Sequence, residues 1–228
     1  MTDLLLSGFL DSLVRIDSDL LLAINGVHSR FFDFFMPVCT DKLVWIPLYL
    51  SLLYVLFRNM SFKTAMFCLV CIALAAGLAD VISSKALRFA VMRLRPSNLE
   101  NELHNLVHIV DGYRGGRYGF PSSHAANTFS LAVFMVCLYR CRVISFFMVF
   151  WALLNCYTRL YLGVHYPGDI LAGAVLGTLL AMVFGFLFLR ISKYKAGRNP
   201  KSALVPVWVG LGTILCILGY SAVMCVLR

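Results

Sequence analysis

Six apolar runs divide the chain, and its polar residues gather in short bursts between them. At the ~20 residues a hydrocarbon core requires, the runs predict spans at roughly 36–57, 65–90, 125–139, 143–162, 170–189 and 204–227. The third is short. Its helix is expected to start earlier, within Pro121-Ser122-Ser123-His124, because a serine ahead of an apolar run is a helix-start signal. Before the first span, residues 4–24 mix Leu, Phe and Ile with Asp11, Asp17 and Asp19 at irregular helical spacing. That pattern predicts an amphipathic helix lying in the membrane interface rather than crossing it. Phe31, Phe32, Phe34 and Phe35 then lead into the first span, with Trp45 and Pro47 near its entrance. No internal repeat or low-complexity segment interrupts the pattern. The expected fold is all-α and integral to the membrane: six transmembrane helices over residues 36–227, an interfacial amino-terminal helix, and one domain over 1–228.

Composition agrees with this reading. The chain of 228 residues is 61% hydrophobic and 14% charged, where a soluble domain would be about half apolar and a quarter charged. Mean hydropathy is +0.83. The chain has 8 cysteines, and Cys68, Cys71, Cys137, Cys156, Cys216 and Cys225 sit inside apolar runs, where a free thiol behaves as a small hydrophobe. Cys68-x-x-Cys71 has no second paired motif and is not expected to bind metal. No cleavable signal peptide is expected, because the first twenty residues carry Asp3, Asp11, Asp17 and Asp19 and lack a basic start followed by a clean apolar core.

The net charge of +9 matters less than its placement. With six spans, the 1–2, 3–4 and 5–6 loops share one side. They hold Arg58, Lys63, Arg140, Arg142, Arg190, Lys193, Lys195, Arg198 and Lys201, and no acid. Lys and Arg in short loops mark the cytoplasmic face. The termini and the 2–3 and 4–5 loops are therefore expected to face outward, into a periplasm in a Gram-negative cell, with the protein in a bacterial inner membrane. The Lys193–Lys201 run is expected to anchor to the inner leaflet. Expected partners are membrane lipids, not nucleic acid.

Three polar clusters then fall on that outer face. Arg88 and Arg95 close the second span with Lys85 one turn earlier and Arg93 between them. Their seven-residue spacing predicts a shared helical face ended by Pro96. Ser122, Ser123 and His124 open the third span, where free backbone N–H groups favour an anion. Arg159, His165 and Asp169 lie between the fourth and fifth runs, Asp169 in the first turn of a helix begun by Pro167 and Gly168. A carboxylate on one imidazole nitrogen fixes the tautomer and frees the other as nucleophile or base. Guanidinium groups, a helix amino terminus, two histidines and a carboxylate suit phosphoryl transfer without a metal or other cofactor. Outside these clusters, His104 and His108 have metal-like spacing without a third ligand. The Tyr113–Arg117 loop is either a headgroup grip or a solvated loop, and Asp80 is an intramembrane acid for which Lys85 is a possible partner.

These residues resemble the type 2 phosphatidic acid phosphatase superfamily, which shares its site with vanadium haloperoxidases. That family's motifs are Lys-x6-Arg-Pro, Pro-Ser-Gly-His and Ser-Arg-x5-His-x3-Asp. Here they read Arg88-x6-Arg95-Pro96, Pro121-Ser122-Ser123-His124 and Thr158-Arg159-x5-His165-x3-Asp169. Arg88 replaces Lys and keeps the charge, Ser123 replaces Gly and keeps the backbone N–H, and Thr158 replaces Ser and keeps the hydroxyl. The resemblance implies that His165 is a phosphohistidine nucleophile, Asp169 its partner and His124 the general acid. It implies that Arg88, Arg95, Ser122, Ser123 and Arg159 hold the phosphate, with Lys85 as a further contributor. The implied activity is an outward-facing lipid phosphatase, most similar to undecaprenyl-diphosphate phosphatases, with lipid A and phosphatidylglycerophosphate phosphatases sharing the motifs. The rival from another class is a six-span binding or transport protein that keeps the anion site without turnover, and a haloperoxidase is the least favoured.

Overall fold

Backbone amides cannot be left unpaired in hydrocarbon, and the chain meets that constraint almost entirely with helix. The computed structural model describes residues 2–195 and 202–227. In order these form α1 (Thr2–Asn25), α2 (Arg30–Thr40), α3 (Ile46–Asn59), α4 (Phe62–Val81), a π-helical stretch (Ile82–Leu87), α5 (Arg88–Val91), a 3₁₀ turn (Glu102–Asn105), α6 (Ser123–Tyr139), α7 (Arg142–Tyr161), α8 (Pro167–Ser192) and α9 (Leu204–Leu227). Serine hydroxyls start three of them: Ser29 accepts from Phe32 N, Ser61 from Thr64 N and Ser122 from Ala125 N. Pro167 occupies the first turn of α8, where its missing N–H costs nothing.

Among the described residues, four helical stretches are long and apolar enough to cross a membrane: Phe62–Val91, Arg142–Tyr161, Pro167–Ser192 and Leu204–Leu227. Ser123–Tyr139 and Ile46–Asn59 are apolar but shorter. Val70, Leu74, Val175, Leu179, Val183 and Phe186 point outward and are exposed, as lipid-facing positions must be. All 8 cysteines, Cys68 and Cys71 included, are free thiols.

The packing centres on α6 and α8, with α4 against both and α9 against α2 and α3. Between helices in lipid, close approach replaces the hydrophobic effect as the attractive term, and small residues permit it. Gly173, Gly177, Ala181 and Gly185 form a stripe at four-residue spacing along α8, and all are buried. A methyl group on Gly173 would strike the Ser122 carbonyl, and one on Gly177 the Ala126 carbonyl. The same contact seats the first turn of α6, with its polar residues, against the start of α8. Beyond it Trp45, Phe134, Tyr139, Trp151 and Phe188 fill the core, with Trp45 edge-on to Trp151 at 5.8 Å.

Two expectations need correction. The run at 36–57 is not one helix. It breaks at Asp41–Trp45, where Asp41 Oδ1 accepts from Leu43 N at 2.9 Å and the Trp45 indole N–H reaches back to Cys39 O at 2.8 Å. An acid that bonds its own backbone competes with helix continuation. The second long helix ends at Met92, not at Pro96. Met92 takes a left-handed conformation (φ 50°), its N–H closing on Arg88 O. Arg95 thus lies beyond the helix and shares no helical face with Arg88. Arg198 and Lys201, two of the expected inner-face cations, lie outside the described residues.

The α6–α8 seam generates a stability prediction. Gly177→Leu should destabilise the detergent-solubilised protein by about 1–3 kcal/mol. Gly212→Leu, at a position with open space around it, should leave the melting temperature close to wild type. Equal melting temperatures for the two variants would show that the seam does not depend on the small residue.

Candidate active site

The left-handed turn at Met92 reverses the chain so that residues 93–95 run antiparallel to 117–119. Leu94 and Tyr118 form a bridge, Arg95 N donates to Arg117 O at 3.0 Å, and Gly119 N donates to Arg93 O at 2.9 Å. Gly119 is then pressed against Asp169, Arg95 and His165. A Cβ there would sit 2.9 Å from Asp169 Oδ2 and 3.2 Å from Arg95 Cγ, so glycine is required by close approach. Ser122 N donates to Asp169 O at 2.9 Å, tying the start of α6 to the first turn of α8.

His165 and Asp169 are both buried, at 2% and 0% exposure. His165 Nδ1 lies 3.3 Å from Asp169 Oδ2, and His165 Nε2 lies 3.0 Å from Arg95 Nη1. A guanidinium nitrogen only donates, so Nε2 must be the acceptor and the ring proton sits on Nδ1, facing the carboxylate. Burial first, then the charges of Arg95, Arg159, Arg88 and His124, hold the His165 imidazolium well below its ordinary range. The ring is thus a neutral base with its lone pair on Nε2. Arg95 also donates from Nε to Tyr118 O at 3.1 Å and from Nη1 to Val164 O at 3.0 Å. Burial, then Arg159 and Arg88, pushes it down to about 10, which leaves it charged at neutral pH. Asp169 also accepts from Tyr166 N at 3.0 Å and from Arg93 at 3.2 Å.

Two more cations and a second imidazole complete the cluster. Arg88 Nη2 donates to Ser123 Oγ at 2.6 Å. Arg159 donates from Nη1 to Thr40 Oγ1 at 3.0 Å and from Nη2 to the Tyr113 hydroxyl at 3.1 Å. Arg88 Nε, Arg159 Nε and His124 Nε2 are buried without a hydrogen-bond partner among the described residues. Leaving such groups unpaired costs about 1–3 kcal/mol each, a cost that an anionic acceptor would relieve. His124 and Arg159 also line a cavity of about 690 Å³, together with polar (Asp41, Lys42, Tyr113) and apolar or aromatic (Tyr49, Leu131, Trp151) side chains.

Of the residues singled out from sequence, Arg88, Arg95, Ser122, Ser123, His124, Arg159, His165 and Asp169 converge. Lys85 does not: it is exposed on the π-helical stretch and pairs with no group among the described residues. Its proposed pairing with Asp80 is absent too. Asp80 instead accepts from Asn127 Nδ2 at 3.4 Å. His104 bonds Asn101 O, while His108 pairs with Asp33 at 2.8 Å and stacks on His28. The Tyr113–Arg117 loop is folded down, with Arg114 on Ser97 O and Arg117 on Glu100. Sequence reasoning missed Asp17, Thr40 and the role of Arg93. Thr40 and Asp17 come from helices 119 and 151 residues away from the groups they touch, and no local spacing rule signals such a contact.

Comparison with known proteins agrees with this geometry. The PAP2 superfamily pattern matches residues 64–195. The chain is 46% identical to a lipid A 4'-phosphatase of Bacteroides thetaiotaomicron, over 94% of this chain and 99% of that one. It is 29% identical to the undecaprenyl-diphosphatase BcrC of Bacillus subtilis, over 75% of this chain and 81% of that one. The fold is similar to the crystal structure of a PAP2-type phosphatidylglycerolphosphate phosphatase of Bacillus subtilis, at a TM-score of 0.58 and 21% identity, covering 81% of this chain and 90% of that one. Helices of membrane-spanning length, phosphatase relatives over nearly the whole sequence and a matched pattern that contains all three motifs lead to one conclusion: the chain belongs to the PAP2 superfamily and is an integral-membrane lipid phosphatase.

Proposed function

We propose that the protein removes a phosphate from a glycolipid of the lipid A type through a phosphohistidine on His165. One observation carries the chemistry: the buried His165 ring is neutral, with Nδ1–H toward Asp169 and the Nε2 lone pair toward a guanidinium. Phosphate entering between Nε2 and Arg95 turns that contact into nucleophile on one side and oxyanion clamp on the other. Nε2 attacks phosphorus and forms a P–N bond while the bond to the lipid oxygen breaks. His124, in its protonated form, gives its proton to that oxygen. Arg88, Arg95, Arg159 and the free N–H of Ser123 match the charge on the equatorial oxygens. The Ser122 hydroxyl caps α6 and keeps a hydrogen to donate. Water then attacks phosphorus, His124 takes its proton, and the P–N bond breaks to release inorganic phosphate and restore neutral His165. Lys85 has no place in this scheme.

The headgroup assignment rests on the relative at 46% identity, a lipid A 4'-phosphatase. Undecaprenyl diphosphate, favoured from sequence, becomes the second reading, supported by the relative at 29%. The cavity beside His124 suits either, because its lining combines polar groups for a headgroup with apolar side chains for hydrocarbon. A purified-protein panel separates them. Lipid A should release phosphate faster than undecaprenyl diphosphate or phosphatidylglycerophosphate, with EDTA present and with vanadate inhibiting. His165→Ala and Arg88→Ala should each lose at least about 100-fold in kcat, while Lys85→Ala stays within about twofold. EDTA-dependent loss restored by a divalent ion, or near-normal turnover by His165→Ala, would overturn the mechanism.

We further propose six crossings in a bacterial inner membrane, α2 with α3 supplying the first and α6 the third, and α1 lying at the interface. The described basic residues Arg58, Lys63, Arg140, Arg142, Arg190, Lys193 and Lys195 are all exposed, which supports an inner face opposite the site. A site at one end of the bundle suits a lipid that presents its headgroup there, whereas a transporter needs a midplane site open to both faces. In a background without native cysteines, a cysteine at Gly116 should react with an impermeant thiol reagent from outside, and one at Lys195 should not. The reverse labelling would overturn the topology.

A further inference from the structure

The amino-terminal helix reaches the catalytic carboxylate through a single arginine. Arg93 Nη1 carries two hydrogens, and they go to two acids: Asp17 Oδ2 at 2.6 Å and Asp169 Oδ1 at 3.2 Å. The guanidinium plane lies on the Tyr166 ring, with Cζ 3.7 Å from its centroid, and the Tyr166 hydroxyl is held by Asn101 at 2.9 Å. The other Asp17 oxygen accepts from Gly168 N at 2.6 Å, at the start of α8, where unpaired N–H groups favour an anion. Asp17 thus grips both Arg93 and the helix turn that carries Asp169.

Resting on the phosphatase reading above, we propose that Asp17 and Arg93 are positioning residues that act through Asp169 on His165, which makes α1 a working part of the active site. Asp169 serves His165 through Oδ2 and Arg93 through Oδ1. With Asp17 in place, Arg93 is shared, and its shorter bond goes to Asp17. Asp169 then keeps the orientation, and enough of its charge, to hold Nδ1–H and to stabilise positive charge on the ring as the nucleophile reacts. Without Asp17, the whole of Arg93 falls on Asp169. The groups that face the His165 ring are Arg95 from the 92–122 loop, Arg88 from α5, His124 from α6, Arg159 from α7 and Asp169 from α8. Asp169 is the one acid among them. Weakening its hold therefore makes the ring a weaker base and moves its titration to lower pH.

The test uses the full-length protein in detergent with Asp17→Asn, Arg93→Gln, the double variant, and Asp19→Asn as an exposed control on the same helix. On lipid A, Asp17→Asn should lower kcat by about tenfold or more with KM within about twofold, as for a partner that orients a catalytic group. Asp19→Asn should match wild type, and Asp17→Asn should add no further loss in the Arg93→Gln background. A second readout needs no substrate: the 15N shifts of the His165 ring, assigned with His165→Gln, should titrate at lower pH in Asp17→Asn than in wild type. An unchanged titration and unchanged kcat in Asp17→Asn overturn the positioning role. A shift that persists in the Arg93→Gln background overturns the relay through Arg93. Absence of phosphate release from every lipid by wild type would sink the phosphatase assignment instead, while the 15N titration would still decide the link from Asp17 to His165.

Discussion

A neutral imidazole held between a carboxylate and a guanidinium, away from water, is the constraint on which the rest of this protein depends. Asp169 accepts a hydrogen bond from His165 Nδ1–H, and Arg95 donates to the lone pair on Nε2. Neither neighbour suffices alone. Without the carboxylate the Nδ1 proton has no acceptor, and without the guanidinium the Nε2 lone pair has no donor. Burial sharpens both, because interactions between charges strengthen as water is excluded. The helices around the pair serve to hold it there. The Met92 turn delivers Arg95, the first turn of α8 delivers Asp169, and Gly119 leaves the space into which they close.

The membrane-embedded seam and the polar site are one construction. The small residues along α8 bring its backbone against α6, so that Ser122 N bonds Asp169 O and the start of one helix is registered on the start of the other. His124 and Ser123 are thereby set beside His165 without any residue dedicated to that purpose. Arg88 is turned toward Ser123 after a π-helical stretch at Ile82–Leu87, and such local irregularities frequently accompany functional sites. The stability of the helix pair and the geometry of the chemistry therefore rise and fall together.

The local patterns in the sequence were legible, and contacts between distant elements were not. Apolar length announced the helices, and serine and proline signals marked the starts of α6 and α8. His165 with Asp169 was readable because four residues and a helix start bring the two together. Arg88 with Arg95 was read as one helical face, yet the two meet through a reversal at Met92, a non-glycine residue in a left-handed conformation that no propensity favours. The break at Asp41 was hidden inside an apolar run because the local bond that makes it is invisible to hydropathy. Lys85, one turn before Arg88, entered as a further contributor through the family resemblance, and it is exposed on the π-helical stretch that precedes Arg88. Asp17 gave no local signal, since its meaning depends on Arg93 and Gly168 far along the chain.

The account stands on His165 Nε2 as the atom that bonds to phosphorus. Rapid acid-free quenching of the enzyme with lipid A labelled at the phosphate, followed by peptide mass spectrometry, reads that atom directly. The account predicts an acid-labile phosphoryl group on the peptide containing His165. It should be detected in wild type and be absent in His165→Gln. Label on any other residue, or turnover by wild type with no phosphorylated peptide, would contradict it.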